Sequence, residues 1–420
     1  MLTKWRWTLL QLSRRLWVRA SLIGAMGIVT AVLAAFGERF IPWQVTAKIG
    51  ADAVDDILTI IASSMLAVTT FSLSVMTSAY SAATNSVTPR ATKLLMQDQV
   101  TQNVLATFIG SFLFALVGII LLKTGVYGDS GRAVLFVATI GVVLLVVVAL
   151  LGWIDHLSRL GRVGETINEI EKVTLQALRD RQAAPFLGGH SFDLDKGPPT
   201  GAATILSDKT GYVQHVDVEG LAKCAEAFDG EIYLAVLPGS FVHPNKPLLW
   251  VASDGDLNDE LADDLRGCFS IGTERSFDQD PRFGFVVLAE VASRALSQAI
   301  NDSGTAIDVI GRMTRLLLCW SEGGSKDDPP EILHPRLHVP PITTADVFDD
   351  AFNIIARDGA GLIEVQLRLQ KALAALSEAG DDAFRATARQ QAQLALARAV
   401  ATLPEQDIAR LREVANLRIR

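Results

Sequence analysis

Two groups of residues in this chain have the types and spacing to do chemistry. The first lies in residues 59–84, TIIASSMLAVTTFSLSVMTSAYSAAT, where Ser and Thr recur through an otherwise apolar run. On a helix at about 100° per residue, Thr59, Ser63, Thr70, Ser74, Thr77, Ser81 and Thr84 fall within a sector of roughly 80°. Ile61, Met65, Val68, Val75 and Met76 take the opposite face, while Ser64, Thr69, Ser72 and Ser78 lie off the sector. If several copies surround an axis, Thr59, Ser63, Thr70, Ser74, Thr77 and Ser81 could line a polar, uncharged path for an ion or small solute. The competing reading is helix–helix packing, in which small hydroxylated residues let backbones approach closely.

The second group comprises Asp278, Asp280, Arg294, Asn301, Asp302 and Thr305. Carboxylate and amide oxygens of this kind could hold Ca²⁺ or Mg²⁺, but the spacing does not match an EF-hand loop. The run Asn301-Asp302-Ser303-Gly304-Thr305 falls between two helical patterns, where Asp302 or Ser303 can cap the second helix. Capping accounts for these residues without a metal. Arg294, on the preceding helix, is expected to pair with one of the acids.

Other chemistry finds no support. Cys224, Cys268 and Cys319 are far apart in sequence, and no Cys/His spacing suggests zinc. His334 and His338 are four apart, but the Pro335 between them assigns HPRLH to a loop. No GxSxG, P-loop, HExxH or strand-linked GxGxxG occurs, so no enzyme activity and no cofactor are expected. Asp155-His156 reads as a polar boundary where the chain leaves the lipid. The formal net charge of -8, with acids accumulating after Asp193, lacks the basic footprint of a nucleic-acid binder.

These residues must be positioned by a membrane domain. Half of the 420 residues are hydrophobic and the mean hydropathy is +0.30, with the excess concentrated before residue 155. Four runs, 20–36, 57–80, 104–122 and 133–154, approach the ~20 residues needed to cross a bilayer, and none contains Lys, Arg, Asp or Glu. Together they define a transmembrane domain over 20–158. Basic flanks assign both termini to the cytoplasm: Lys4, Arg6, Arg14, Arg15 and Arg19 before the first span, Arg90 and Lys93 between the second and third, Arg159 and Arg162 after the fourth. The outer loop 37–56 carries Arg39 and Lys48 against Glu38, Asp52, Asp55 and Asp56. Trp5, Trp7 and Trp17 among the early arginines suggest that 1–19 lies as an anchor along the inner headgroups.

The remainder reads as a cytoplasmic α+β domain. An amphipathic connecting helix occupies 159–184, a β-rich part 185–270, a helical part 271–341 and a helical C-terminal region 342–420. The strand order around PGSFVHPNKPLLWV is similar to the small barrel-sandwich hairpins of lipoyl- and biotinyl-type modules. A small β-barrel-like part is therefore expected, though Lys209 is not in the context of a modified lysine. The long Gln/Ala/Leu-rich C-terminal helices suit packing against other subunits.

Four blocks carry a wider resemblance: SSMLAVTTFSLSVMTSAYSAATNSVTPRATKLLMQDQVTQNVLATFIGSFLF, GYVQHVDVEGLAKCA, PGSFVHPNKPLLWV and QDPRFGFVVLAEVASRALSQAINDSGTA. In this order, over roughly residues 20–320, they resemble a bacterial predicted-membrane-protein family of unknown function, domain-of-unknown-function family 2254. The resemblance implies four inner-membrane helices and a cytoplasmic C-terminal domain, and no established activity. The chain departs from the family's usual Ser-Pro-Gly-Ile-Asn-Asp-Pro pattern: Ser297-Gln298-Ala299-Ile300-Asn301-Asp302-Ser303 lacks both prolines, so the loop need not keep one rigid shape.

The functional expectation is a homo-oligomeric inner-membrane pore with the second span innermost and a cytoplasmic domain that gates it or filters solutes. The alternative is a membrane-anchored sensor or scaffold whose cytoplasmic domain binds a ligand or protein. The partners implied are the bilayer, further copies of the chain, and an ion or small solute.

Overall fold

The computed structural model describes residues 3–13, 16–36, 51–96, 98–127, 129–253, 255, 258–323 and 331–418. Residues 37–50 of the expected outer loop, with Glu38, Arg39 and Lys48, lie outside the described residues, as do Arg14 and Arg15, whereas 51–56 are helical rather than loop. The chain forms two compact units: Thr8–Asn85 with Thr92–Glu165, and Met1–Trp7 with Ser86–Ala91 and Thr166–Arg420.

The chain opens with α1 (Lys4–Ser13), α2 (Leu16–Phe36), α3 (Ala51–Ser86), α4 (Pro89–Met96), α5 (Gln99–Lys123), α6 (Asp129–Arg159) and α7 (Val163–Ala183). In the first unit α2, α3, α5 and α6 are each long and apolar enough to cross a membrane, as the four hydrophobic runs predict. They overrun those runs because their polar end turns stay helical. Asp55, in the first turns of α3, pairs with Lys123 at the end of α5 at 3.6 Å. Acid at a helix N-terminus and base at a C-terminus both complement the helix dipole.

Within one chain the third span is the most enclosed. Leu105, Ala106, Phe108 and Ala115 of α5 are fully buried, and Phe114 nearly so. Glycine sets its approach to α2. A Cβ on Gly27 would lie 2.7 Å from the Gly110 carbonyl oxygen, and one on Gly110 would lie 2.8 Å from Ile23 Cγ2. In lipid there is no hydrophobic drive between helices, so close backbone contact through small residues supplies the association. Tyr127 extends the joint, its hydroxyl donating to the Ala31 carbonyl at 2.6 Å.

The second unit holds residues 166–420 together with two pieces of the N-terminal half, Met1–Trp7 and Ser86–Ala91. Its strands are β1 (His190–Ser191), β2 (Ala203–Leu206), β3 (Gly211–Val216), β4 (Glu231–Leu234), β5 (Phe241–Val242), β6 (Pro247–Ala252), β7 (Phe269–Gly272) and β8 (Leu337–Val339). They make a five-stranded sheet, β1-β8-β4-β6-β2, and a three-stranded sheet, β5-β3-β7. Neither closes, so the expected barrel-like part is two open sheets. The exchange has a register reason: β3 pairs with β5 and β7, leaving β4 and β6 to pair with β2 and β8. The HPRLH segment also differs from expectation. His338 lies in β8, which runs parallel to both β1 and β4, and its ring stacks on Tyr233 at 4.3 Å.

The helices of this unit are α8 (Val218–Ala227), α9 (Asp259–Gly267), α10 (Pro281–Ala295), α11 (Ser303–Glu322), α12 (Thr344–Asp358), α13 (Ile363–Leu376), α14 (Asp382–Val400) and α15 (Glu405–Arg418). α10 is the central rod: Phe285, Val287, Leu288, Ala289 and Ala292 are fully buried. Arg282 fixes it to α12 through Asp346 and Asp350, at 2.9 and 2.6 Å. The N-terminal anchor also departs from expectation. Trp5 and Trp17 are exposed, but Trp7 stacks on His215 at 5.1 Å and its indole N–H donates to Asp278 at 2.9 Å. Trp7 is half-buried, and an indole N–H drawn out of water needs a partner, which Asp278 supplies.

The glycine joint yields the first prediction. Gly110→Val should lower the thermal stability of detergent-solubilised protein by an overpacking cost of about 1–3 kcal/mol. Gly141→Val, at a position where a Cβ meets nothing within 4 Å, should leave the melting curve unchanged.

Candidate functional site

The hydroxyls of α3 divide between two faces. Val54, Leu58, Ile61 and Met65 are buried in the core of the first unit and define its packing face. Thr69 and Ser72 join them, buried, where small hydroxylated side chains permit close approach. The six stripe residues, Thr59, Ser63, Thr70, Ser74, Thr77 and Ser81, are all exposed. Their face is centred about 150° around the helix from the packing face. Packing and lining thus fall to different hydroxyls.

The exposed face is nearly continuous. Asp56, also exposed, extends it toward the start of α3, and Leu66, 53% exposed, interrupts its edge. Ile60 and Phe71 flank it, more than three-fifths exposed, as lipid-facing side chains would be. Several hydroxyls donate to the carbonyl four residues back: Ser63 to Thr59 at 2.9 Å, Thr70 to Leu66 at 2.6 Å and Thr77 to Leu73 at 2.5 Å. Each hydroxyl oxygen keeps acceptor capacity on the exposed side. An uncharged row of this kind offers oxygen dipoles and no titratable group along its middle.

The residues grouped in the second unit do not come together. Asp280, 3% exposed, caps the N-terminus of α10, accepting from the Phe283 amide at 3.2 Å. Arg275 holds it from both sides, Nε to Oδ2 at 2.7 Å and Nη2 to Oδ1 at 3.0 Å. Burial raises its pKa, and the Arg275 hydrogen bonds and charge oppose that rise. Asp302 caps α11 instead, accepting from the Thr305 amide at 3.0 Å and the Thr305 hydroxyl at 2.6 Å. Those two bonds lower its pKa. The fifteen residues of α10 lie between the caps, about 22 Å of helix at 1.5 Å per residue.

The remaining members fit the same reading. Asn301 sits in a left-handed turn, φ 51°, between α10 and α11. Asp278 is occupied by Trp7 and by the Ser276 hydroxyl at 3.0 Å. Arg294 makes no ion pair with the acids among the described residues, and its Nε is buried without a hydrogen-bond partner. The expected Arg294 pairing therefore fails, because Arg275 and the two helix N-termini already satisfy the carboxylates. No group of three His, Cys, Asp or Glu residues suited to a metal occurs among the described residues.

Three polar constellations were not singled out in the sequence. Asp98 caps α5, takes the Thr101 hydroxyl at 2.6 Å and pairs with His156 at 3.0 Å. Burial opposes its ionisation, yet the His156 and Thr101 hydrogen bonds hold its pKa at about 2. Asp98, the single acid of the 81–103 loop and followed three residues later by Thr101, was the available signal. Arg181 is buried at 4% exposure and donates to the Gln279 carbonyl at 3.3 Å. Burial depresses its pKa to about 10, and Asp280 opposes that shift. The third constellation joins Thr88, Arg90 and Glu290: Thr88 Oγ1 donates to Glu290 Oε2 at 3.1 Å, and Arg90 pairs with Oε1.

The Pro-Gly turn at 238–239 belongs to the Asp280 cap. Gly239 has φ 93°, and a Cβ there would stand 2.2 Å from Asp280 Oδ2. Gly239→Ala should therefore cost more than the 1–3 kcal/mol of backbone strain alone, about 3 kcal/mol or more. Gly197→Ala, at φ 70° with open space around it, should lose only the strain. Thermal melting of the two variants of the full chain checks the difference.

Comparison with known proteins locates the chain without assigning an activity. Uncharacterized proteins of Mycobacterium bovis and of two strains of Mycobacterium tuberculosis are 28% identical over 246 residues, 57% of this chain and 47% of theirs. The chain thus spans about half the length of the curated relatives it matches. No solved structure matches it. The family model described as "Predicted membrane protein (DUF2254)" matches residues 13–375, most of the described α2–α13 and both polar constellations of the second unit. The chain belongs to the DUF2254 family of predicted membrane proteins.

Proposed function

We propose that the protein self-associates in a bacterial inner membrane to form a passive pore, with the hydroxyl face of α3 toward the pathway. The observation that carries this reading is the orientation of the stripe. Six Ser and Thr side chains are exposed opposite the packing face of their own helix, uncovered by any of the described residues. Lipid tails offer them nothing polar. Water between copies, or the same face of a second copy, does.

Two further features fit. The stripe carries no charge along its middle, as suits a path that conducts without a proton-relay residue. Residues 1–7, 86–91 and 166–420 share one compact unit, which agrees with two crossings separating each from the next. The basic flanks then put that unit on the cytoplasmic side, where it gates the path or screens what enters. Passive conduction asks for no catalytic group and no cofactor.

The test uses full-length protein in liposomes with Cys224, Cys268 and Cys319 replaced by Ala. Cysteine at Thr70, Ser74 or Thr77 should react with a water-soluble maleimide and block solute flux, whereas cysteine at Val68 or Met65 should stay protected. Absence of flux under voltage, tension and osmotic shock, with all positions equally protected, would count against the pore and favour a membrane-anchored sensor or scaffold.

A further inference from the structure

The chain leaves α3 and immediately enters the soluble unit: residues up to Asn85 belong to the first unit, Ser86–Ala91 to the second, and Thr92 onward to the first again. This six-residue excursion is held firmly. Val87 and Ala91 are fully buried and Thr88 is 5% exposed. Thr88 precedes Pro89, the first residue of α4, the position where proline's missing N–H costs nothing. The Thr88 carbonyl accepts from the Ala91 amide at 3.1 Å. The conformation of the turn is thereby fixed at its own residues.

Glu290 receives this turn. It lies on α10, and its two carboxylate oxygens are divided between two donors, Oε2 for the Thr88 hydroxyl at 3.1 Å and Oε1 for the Arg90 guanidinium. Only 23% of the Glu290 side chain is exposed. α10 is itself locked, by the Asp280 cap and Arg275 at its start, by Arg282 to Asp346 and Asp350, and by the Ser293 hydroxyl to Asp358 at 2.5 Å. A displacement of α10 therefore reaches residues 86–91 through a charged, two-donor contact rather than through a loose linker. The next residues back along the chain are Thr84 and Ser81, the inner end of the stripe.

We infer that Glu290 is a positioning residue that sets how the inner end of the α3 hydroxyl face is presented, through Thr88 and Arg90. The inference rests on the pore reading for its functional meaning, since it names the contact, inside one unit, that holds the residues following α3. Glu290 touches no permeant species and acts only through the turn. The direction of control runs from α10 to the turn and on to α3, and reverses equally, as any coupling free energy must.

The experiment measures maleimide labelling of single cysteines in the full chain in liposomes, again with the native cysteines replaced by Ala. Cysteine replaces Ser81 at the inner end of the stripe or Thr59 at the outer end. Glu290→Gln keeps the shape and removes the charge, and should change the Ser81→Cys labelling rate by about fivefold or more. The Thr59→Cys rate should stay within about twofold, below the range of typical coupling. Glu290→Arg combined with Arg90→Glu restores the ion pair and should bring the Ser81→Cys rate back toward the original value.

Equal rates at Ser81→Cys with and without Glu290→Gln would overturn the inference. So would parallel changes at both ends, which would mean general loosening, or failure of the charge exchange to recover the rate. Solute flux measured on the same vesicles judges the pore separately. A chain that shows no flux but a Glu290-dependent rate at Ser81→Cys keeps the positioning role and loses the pore. A chain that conducts with a Glu290-independent rate keeps the pore and loses the positioning role.

Discussion

A Ser or Thr hydroxyl in a membrane helix has one donor to place and no water in the hydrocarbon to take it. For several hydroxyls of α3 that constraint is met locally, by bonds to the carbonyl four residues back. This solution lets the helix carry a polar face without a partner in its own chain. Val54, Leu58, Ile61 and Met65 can then dedicate the other face to the core of the membrane unit. The remaining spans follow from this division. α5 becomes the enclosed helix, drawn against α2 by glycine at Gly27 and Gly110, and α3 is left at the margin with its hydroxyls outward.

The second unit shows a different pattern. Its acids are consumed by structure: Asp280 and Asp302 cap α10 and α11, and Asp278 takes the Trp7 indole. Two pieces of the N-terminal half, ending at Trp7 and lying over 86–91, are built into it, each through a hydrogen bond to a carboxylate.

Much of this was legible in the sequence because the signals were long and periodic. Four uncharged apolar runs correspond to α2, α3, α5 and α6, and the hydroxyl stripe could be drawn on a wheel before the helix was seen. The failures have physical causes. β8 is three residues between prolines, and only its pairing with β1 and β4 makes it a strand. Asp280 and Asp302 looked like one cluster because both flank the same helix, but a helix separates its ends in space. The docking of Trp7 and the Glu290 contact depend on partners 271 and about 200 residues away, which no local pattern encodes.

The central claim is that the exposed face of α3 meets further copies around a water-filled path. Electron cryo-microscopy of the full chain in lipid nanodiscs tests it most directly, by giving the number of copies and the helix nearest the symmetry axis. The account predicts a closed ring with α3 innermost and Thr70, Ser74 and Thr77 toward the axis. A monomer, or a ring in which Ile60 and Phe71 face the axis while the hydroxyls are packed elsewhere, would contradict it.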